Sequence, residues 1–298
     1  MYTNPVTFEL LDDQMDENTL PELIKNYQFR FENLGAKIEA AWLKNGIHAY
    51  WWNFTPNAGD LVTPILLRHY GFTPIHTWKN TAQVLSCGSI LQNLPEDFSG
   101  YILGSGLLNI ELAAQLKHAR ILAVRGKLTR DAIGAPIDSV LGDPGLLVTE
   151  IYRNRKRKQF PVGLIPHYKE KTHPTIQKLC RMYPDDVHFI DIQGSVLKVL
   201  SEIDKCEFVM SSSLHGLTFA DALEIPCGWI LLDHSASESK KFKYLDYNSA
   251  LNRDQVPIHL EGTEQLSQLV KKTSKPSKGI LEQVKGNLDG AFRQLAKE

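Results

Sequence analysis

The sequence predicts an α/β protein built from two Rossmann-like domains with parallel sheets, facing across a central cleft. Three observations lead there. Short apolar, strand-like runs alternate with helical stretches of about ten residues, which is the signature of βαβ units. Two such series lie on either side of a dense basic run, RNRKRK at 153–158. Nearly every strand-like run ends in a loop of small and polar residues, and open α/β sheets bind ligands beyond the carboxyl ends of their strands.

Taken in order, the elements begin with a helical pattern over 21–45, where Leu23, Phe31, Leu34, Ile38 and Trp42 recur at three- and four-residue steps. IHAYWW (47–52) reads as a strand, NFTPNAGD (53–60) as a loop and LVTPILLRHYG (61–71) as a helix closing on glycine. Strands follow at 83–90, 100–106 and 119–126, then a short helix at 127–134 and a strand tip with a turn at 139–145. After the basic run come strands at 160–168, 187–192, 206–212 and 227–233, with helices at 172–183, 195–204 and 214–225 between them. Helical patterns at 263–272 and 278–297 end the chain. The expected domains are 1–152 and 159–298, with 153–158 as a solvated linker.

Composition narrows the function. Lys+Arg number 33 and Asp+Glu 34 in 298 residues, so no global basic charge recruits nucleic acid, and an anionic partner has to meet a local cluster. The four cysteines form no CxxC pair and read as reduced core residues. The opening MYTNPVTFELLDDQMDEN lacks the basic and apolar regions of a secretory signal, and no run approaches the roughly 18 apolar residues that span a bilayer. A cytoplasmic protein is expected, with a place at the inner membrane face left open.

The loops after the strands carry the chemistry. Asn53, Asn57, Gly59 and Asp60 lie after the first strand; Gly88 and Ser89 after the second; Gly104, Ser105 and Gly106 after the third. Arg125 ends the fourth, and Asp143 sits in GDPG. In the second half HYKEK offers His167, Tyr168 and Lys169, and SSSLHG offers Ser211, Ser212, Ser213 and His215. Each has a plain structural reading: Asp60 and the serines as helix caps, Asp143 as a turn former, the glycines as turns, Arg125 and His215 as satisfied structural groups. Together they supply backbone N–H donors, a guanidinium and a group that titrates near neutrality, which is an anion site with an acid/base function. No HExxH occurs and no two histidines stand at ligand spacing on a helix, so no metal is expected.

NAGD (57–60), the CGSI and GSG loops, VRGKLT (124–129), LGDPG (141–145) and SSSLHGLTFADALEIP (211–226), in this order, resemble the polysaccharide pyruvyl transferase family. The resemblance covers about 51–247, two-thirds of the chain. It implies a GT-B-like architecture and transfer of pyruvate from phosphoenolpyruvate onto a sugar of a polysaccharide or glycan precursor as a cyclic ketal. Phosphoenolpyruvate would be a co-substrate, with no cofactor. Many members carry arginine two residues before the histidine. Here that position is Ser213, with Lys169, Lys240, Lys241, Lys243 or the serine hydroxyls as stand-ins.

Within that frame His215, Asp60 and Arg125 are the expected catalytic residues, the first two moving protons and Arg125 clamping the anion. Asn57, Gly59, Gly88, Ser89, Gly104, Ser105, Gly106, Ser211, Ser212, Ser213 and Lys169 would line the donor. Trp52, Asn53 and Tyr168 would meet the saccharide, which is free or lipid-linked, with Trp51 and Trp229 as further stacking candidates. Two other readings stay open: a GT-B-type glycosyltransferase using a nucleotide sugar, and a catalytically degenerate member that binds a glycan.

Overall fold

The structure, a computed structural model, describes residues 33–153, 155–232 and 238–298. The expected first helix lies partly outside these residues; 33–43 are helical. The first sheet has six parallel strands: β1 (Gly46–Tyr50), β2 (Thr73–His76), β3 (Val84–Leu85), β4 (Tyr101–Leu103), β5 (Arg120–Val124) and β6 (Val140–Leu141). Their spatial order is β2-β1-β3-β4-β5-β6. Helices α1 (Val62–His69) and α2 (Lys127–Ile133) are its regular crossovers, and a 3-10 helix, Pro144–Glu150, follows β6.

The second sheet has five parallel strands: β7 (Phe160–Ile165), β8 (Val187–Phe189), β9 (Cys206–Ser211), β10 (Cys227–Leu231) and β11 (Ile258–His259), ordered β11-β10-β9-β7-β8. Helices α3 (Pro174–Met182), α4 (Val196–Asp204) and α5 (Leu214–Ala222) connect the first four, and α6 (Glu238–Ala250) lies between β10 and β11. Short α7 (Leu266–Val270) and long α8 (Lys278–Leu295) end the chain.

Both sheets therefore share one order, in which the second strand falls outside the first and the third falls on its other side. The direction of winding reverses between the first and third strands, and doubly wound sheets bind ligands at that switch point. In the first sheet it lies between the ends of β1 and β3. In the second it lies between the ends of β7 and β9.

Burial explains which runs became strands. The core-facing ends of β7 and β9 are continuously apolar, as expected for strands covered on both faces. α5 is buried along its whole length, its polar His215, Thr218 and Asp221 included, so it sits as an internal helix rather than a surface one. One apolar cluster runs through both halves, joining Leu66, Leu146 and Val148 to Leu217, Phe219 and Trp229. α8 belongs to the second half by sequence order but packs against the first sheet: Tyr70 stacks on Phe292 at 4.7 Å and donates to Asp289 at 2.7 Å.

The described residues of the basic run are exposed, but tied down. Buried Asp204 accepts the Lys156 N–H at 2.7 Å, and its carbonyl accepts from Lys158 Nζ at 2.8 Å. Four of the elements named above were not foreseen: β2, the 3-10 helix Pro144–Glu150, β11 and α6. The apolar residues of α6 make no 3.6-residue stripe, and several of its buried residues, Asp246 and Asn248 among them, are polar.

Candidate functional site

The site grows from the two switch points. After β1 the chain turns through Asn57, whose Oδ1 accepts the Gly59 N–H at 3.0 Å, and the Ala58 N–H reaches across to Ile192 O at 2.8 Å in the second half. This turn leaves Asp60 buried at the mouth of α1. Asp60 is not the cap of that helix: the N-cap is Leu61, and no side chain caps it. The serine-cap reading fails in the same way at α5, where Ser213 holds the N-cap position without a side-chain hydrogen bond.

Opposite, His215 is the second residue of α5 and is buried. Its imidazole packs against Gly59, since a Cβ there would come within 1.8 Å of the ring. Gly88, in the left-handed region at φ 111°, makes the matching space for Asp60; its Cβ would stand 2.8 Å from Asp60 Oδ1. The two glycines make room for one imidazole and one acid that come from different halves.

His215 leads to two residues that sequence reasoning undervalued. Its Nε2 is 3.5 Å from the Cys87 sulfur, and the sulfur is 3.4 Å from Asp143 Oδ1. Asp143 does cap its turn, accepting the Gly145 N–H at 2.8 Å, yet its Oδ2 is buried without a hydrogen-bond partner. One ligand-type atom from each of Cys87, Asp143 and His215 lies within 4.8 Å of the other two. That spacing suits a small divalent cation and equally a hydrogen-bonded chain.

The cation beside this cluster is Lys243, on the unforeseen helix α6. It is half-buried over the Tyr244 ring, 5.0 Å from the centroid, and no ion pair within 4 Å is formed by it among the described residues. Burial lowers its pKa to about 8, helped by Arg125 and opposed by Asp60 and Glu170. Burial raises Asp60 to about 7, with Lys243 pulling it down and Asp143 pushing it up. Burial lowers His215 to about 4, against the negative charge of Asp143 and with the help of Lys243 and Arg125. His167 falls to about 4 for the same first reason, with Lys243, Lys169 and His215 adding to it. At neutral pH the site thus holds neutral imidazoles beside an acid near its midpoint.

Arg125 is fully buried and engaged by the protein itself. Its Nε donates to Asp246 Oδ2 at 2.9 Å, one terminal nitrogen to Ser89 Oγ at 2.5 Å and the other to Leu107 O at 2.5 Å. Gly106 gives the guanidinium its room, as a Cβ there would meet Cζ at 2.3 Å. The remaining predicted donor residues divide. Gly104 (φ 89°) packs on Pro144, and Ser105 donates to Ser86 O. Ser211 Oγ lies 2.8 Å from both Ile165 O and Ser213 O. Ser212 accepts the His167 N–H at 2.9 Å and donates to Glu170 at 2.5 Å, tying the ends of β7 and β9 together.

Lys169 is exposed, with Nζ 5.8 Å from the Tyr168 ring, and Tyr168 is half-buried. Trp52 and Asn53 are exposed, and Trp52 pairs with Phe54 at 4.9 Å. Trp229 is a core residue stacked on Tyr244 at 4.5 Å, and Trp51 meets His76 edge-on at 4.4 Å. Cys87 and Asp143 stood in loops already singled out by sequence. Lys243 carried no signal beyond its charge, and Asp246 none.

Two parallel α/β sheets whose switch points share one acid–base cluster define the class of fold. Residues 8–234 match the family model for polysaccharide pyruvyl transferase, and the chain belongs to that family. It is similar to an uncharacterized protein of Acanthamoeba polyphaga mimivirus, 36% identical over 165 residues, which is 52% of this chain and 56% of that protein. It is also similar to the succinoglycan biosynthesis protein ExoV of Rhizobium meliloti, 25% identical over 173 residues, 56% of this chain and 53% of that protein. The chain spans about half the length of these curated relatives. Among the described residues no helix is long and apolar enough to cross a membrane.

Proposed function

We propose that this protein transfers pyruvate from phosphoenolpyruvate onto a saccharide, closing a cyclic ketal over two hydroxyls. The observation that carries the reading is the placement of Asp60 next to Gly59, on which His215 packs from the other half, with Lys243 acting on both groups. Family membership and the likeness to a succinoglycan biosynthesis protein support the same reading.

The chemistry needs a proton at C3 of the enol, which makes C2 electrophilic. One acceptor hydroxyl adds at C2, and a second displaces phosphate there. One hydroxyl proton replaces the proton given to C3, and the other leaves with inorganic phosphate. Asp60 gives the proton, because burial keeps part of it protonated at neutral pH. His215, neutral there, takes a proton from the attacking hydroxyl. Lys243 holds the donor's negative charge where Ser213 stands in place of an arginine. Arg125 acts one step back, fixing α6 through Asp246 so that Lys243 faces the site. Trp52, Asn53 and Tyr168 offer the faces and polar groups of a rim for the saccharide.

Incubation with phosphoenolpyruvate and a β-galactoside should raise the acceptor's mass by one pyruvyl ketal and release phosphate. Phosphoenolpyruvate, but not nucleotide sugars, should raise the melting temperature. Stabilisation by a nucleotide sugar alone would favour the glycosyltransferase reading and overturn this one.

A further inference from the structure

Asp143 is more deeply placed than a turn former needs to be. It has no solvent exposure, and while Oδ1 takes the Gly145 N–H and the Cys87 thiol, Oδ2 is buried with no partner. Leaving a buried oxygen unpaired is unfavourable, because it has lost its water and gained no donor. Such a group is kept where something uses it.

The thiol between Asp143 and His215 has one proton. A carboxylate oxygen can only accept, so that proton goes to Asp143 Oδ1. The sulfur then turns its lone pairs to His215, 3.5 Å away, and Nε2 carries the ring's proton. Nδ1 is left as the base. It lies against the backbone of Gly59, where no Cβ crowds it. When Nδ1 takes a proton, the imidazolium's positive charge is met by Asp143, whose negative charge already acts on this ring.

We propose that Asp143, with the Cys87 thiol between, is the positioning residue that fixes the tautomer of His215 and balances its charge when it takes a proton. The arrangement works as an acid–imidazole pair does in hydrolase triads, with a thiol in the middle. It draws its three members from the ends of β6 and β3 and from the start of α5, so it forms only when the two halves are together. It rests on the reading of His215 as the proton acceptor. The other charged groups around the ring are Lys243 on α6, Arg125 at the end of β5, Asp60 after β1 and His167 after β7. Of these only Asp60 is a carboxylate, and it is not in the close group that Cys87, Asp143 and His215 form.

The test uses the full chain labelled with ¹⁵N-histidine. In the unmodified protein, the nitrogen shifts of His215, assigned by comparison with His215→Gln, should show a protonated Nε2 and a bare Nδ1. Asp143→Asn should lower the pH at which His215 titrates and reduce kcat by about 10²-fold or more, with little change in KM for phosphoenolpyruvate. Cys87→Ser, which keeps a donor and an acceptor, should retain the tautomer and activity within several-fold, whereas Cys87→Ala should scramble the tautomer. A protonated Nδ1 in the unmodified protein would overturn the proposal, as would an unchanged titration in Asp143→Asn. One tightly bound zinc per chain, giving a thiolate charge-transfer band on cobalt exchange, would also overturn it. Because the nitrogen shifts need no substrate, they separate this outcome from a failure of the pyruvyl-transfer reading, which would appear as absent turnover with the tautomer intact.

Discussion

Arg125 and Asp246 form an ion pair with neither side chain exposed, Nε to Oδ2 2.9 Å, between the end of β5 in one half and α6 in the other. The same carboxylate accepts the Thr129 N–H at 2.8 Å and the Thr129 hydroxyl at 2.6 Å. Gly126 lets it come this close: a Cβ there would lie 2.5 Å from Asp246 Oδ1 and 1.8 Å from its backbone O. The arginine that sequence reasoning offered to a bound anion is thus met by a carboxylate of the chain's own second half.

Removing one partner of such a pair strands the other charge out of water. Asp246→Ala should therefore cost about 3–5 kcal/mol, read as a lower urea midpoint at unchanged slope. The double variant Arg125→Met with Asp246→Leu should recover most of that loss. A single-variant cost below about 1 kcal/mol would mean that the pair does not join the halves.

Gly59→Ala tests the approach of the two halves. The added methyl would overlap the His215 ring, so the ring has to move. Turnover should fall by about 10²-fold or more, because misplacement of about 1 Å is enough for that. Gly35→Ala, where a Cβ meets nothing within 4 Å, should leave turnover unchanged.

Asp60 ties stability to pH in a stated direction. Folded, it keeps its proton up to about pH 7, whereas the unfolded chain loses it near 3.8. Its contribution is therefore full below 3.8 and is lost as pH rises through about 7. Asp60→Asn removes this loss. The variant should gain on the parent between pH 4 and 8 by up to about 4 kcal/mol, at about 1.4 kcal/mol per pH unit, while transfer collapses. A stability difference that does not change with pH would show that Asp60 is not the buried acid described above.

His215 has the opposite sign. Its folded pKa, about 4, is below the ordinary 6.5, so its contribution is present above 6.5 and lost as pH falls through about 4. His215→Gln should flatten the decline of melting temperature across that window. An equal decline in parent and variant would place the acid sensitivity elsewhere.

Lys243→Met should weaken phosphoenolpyruvate binding at pH 7 by tenfold or more in calorimetry. In the parent, affinity should fall as pH rises past about 8, where Lys243 loses its charge. Unchanged affinity in the variant would return the donor's charge to other groups.

Strand and helix order was legible because both follow short-range apolar periodicity. The 206–231 stretch, strand, buried helix and strand, is the clearest case. Asp60, Gly59, Gly88 and His215 were also legible, since ligand sites of parallel sheets lie in the loops after strands. α6 was not, because what buries it is polar: Asp246 finds Arg125 and Thr129, and Tyr247 finds Asp221, across 26 to 121 residues of chain.

By itself the sequence determined the parallel α/β class, the loops that hold the chemistry and the family. Those depend on local pattern and on residue order, which the chain carries before it folds. The tertiary structure alone decided the placements: Arg125 turned inward to Asp246, Lys243 near Asp60 and His215, Cys87 and Asp143 set beside His215. The physical reason is that a side chain's role depends on which charges and donors stand within a few ångströms. At this site those come from both sheets at once.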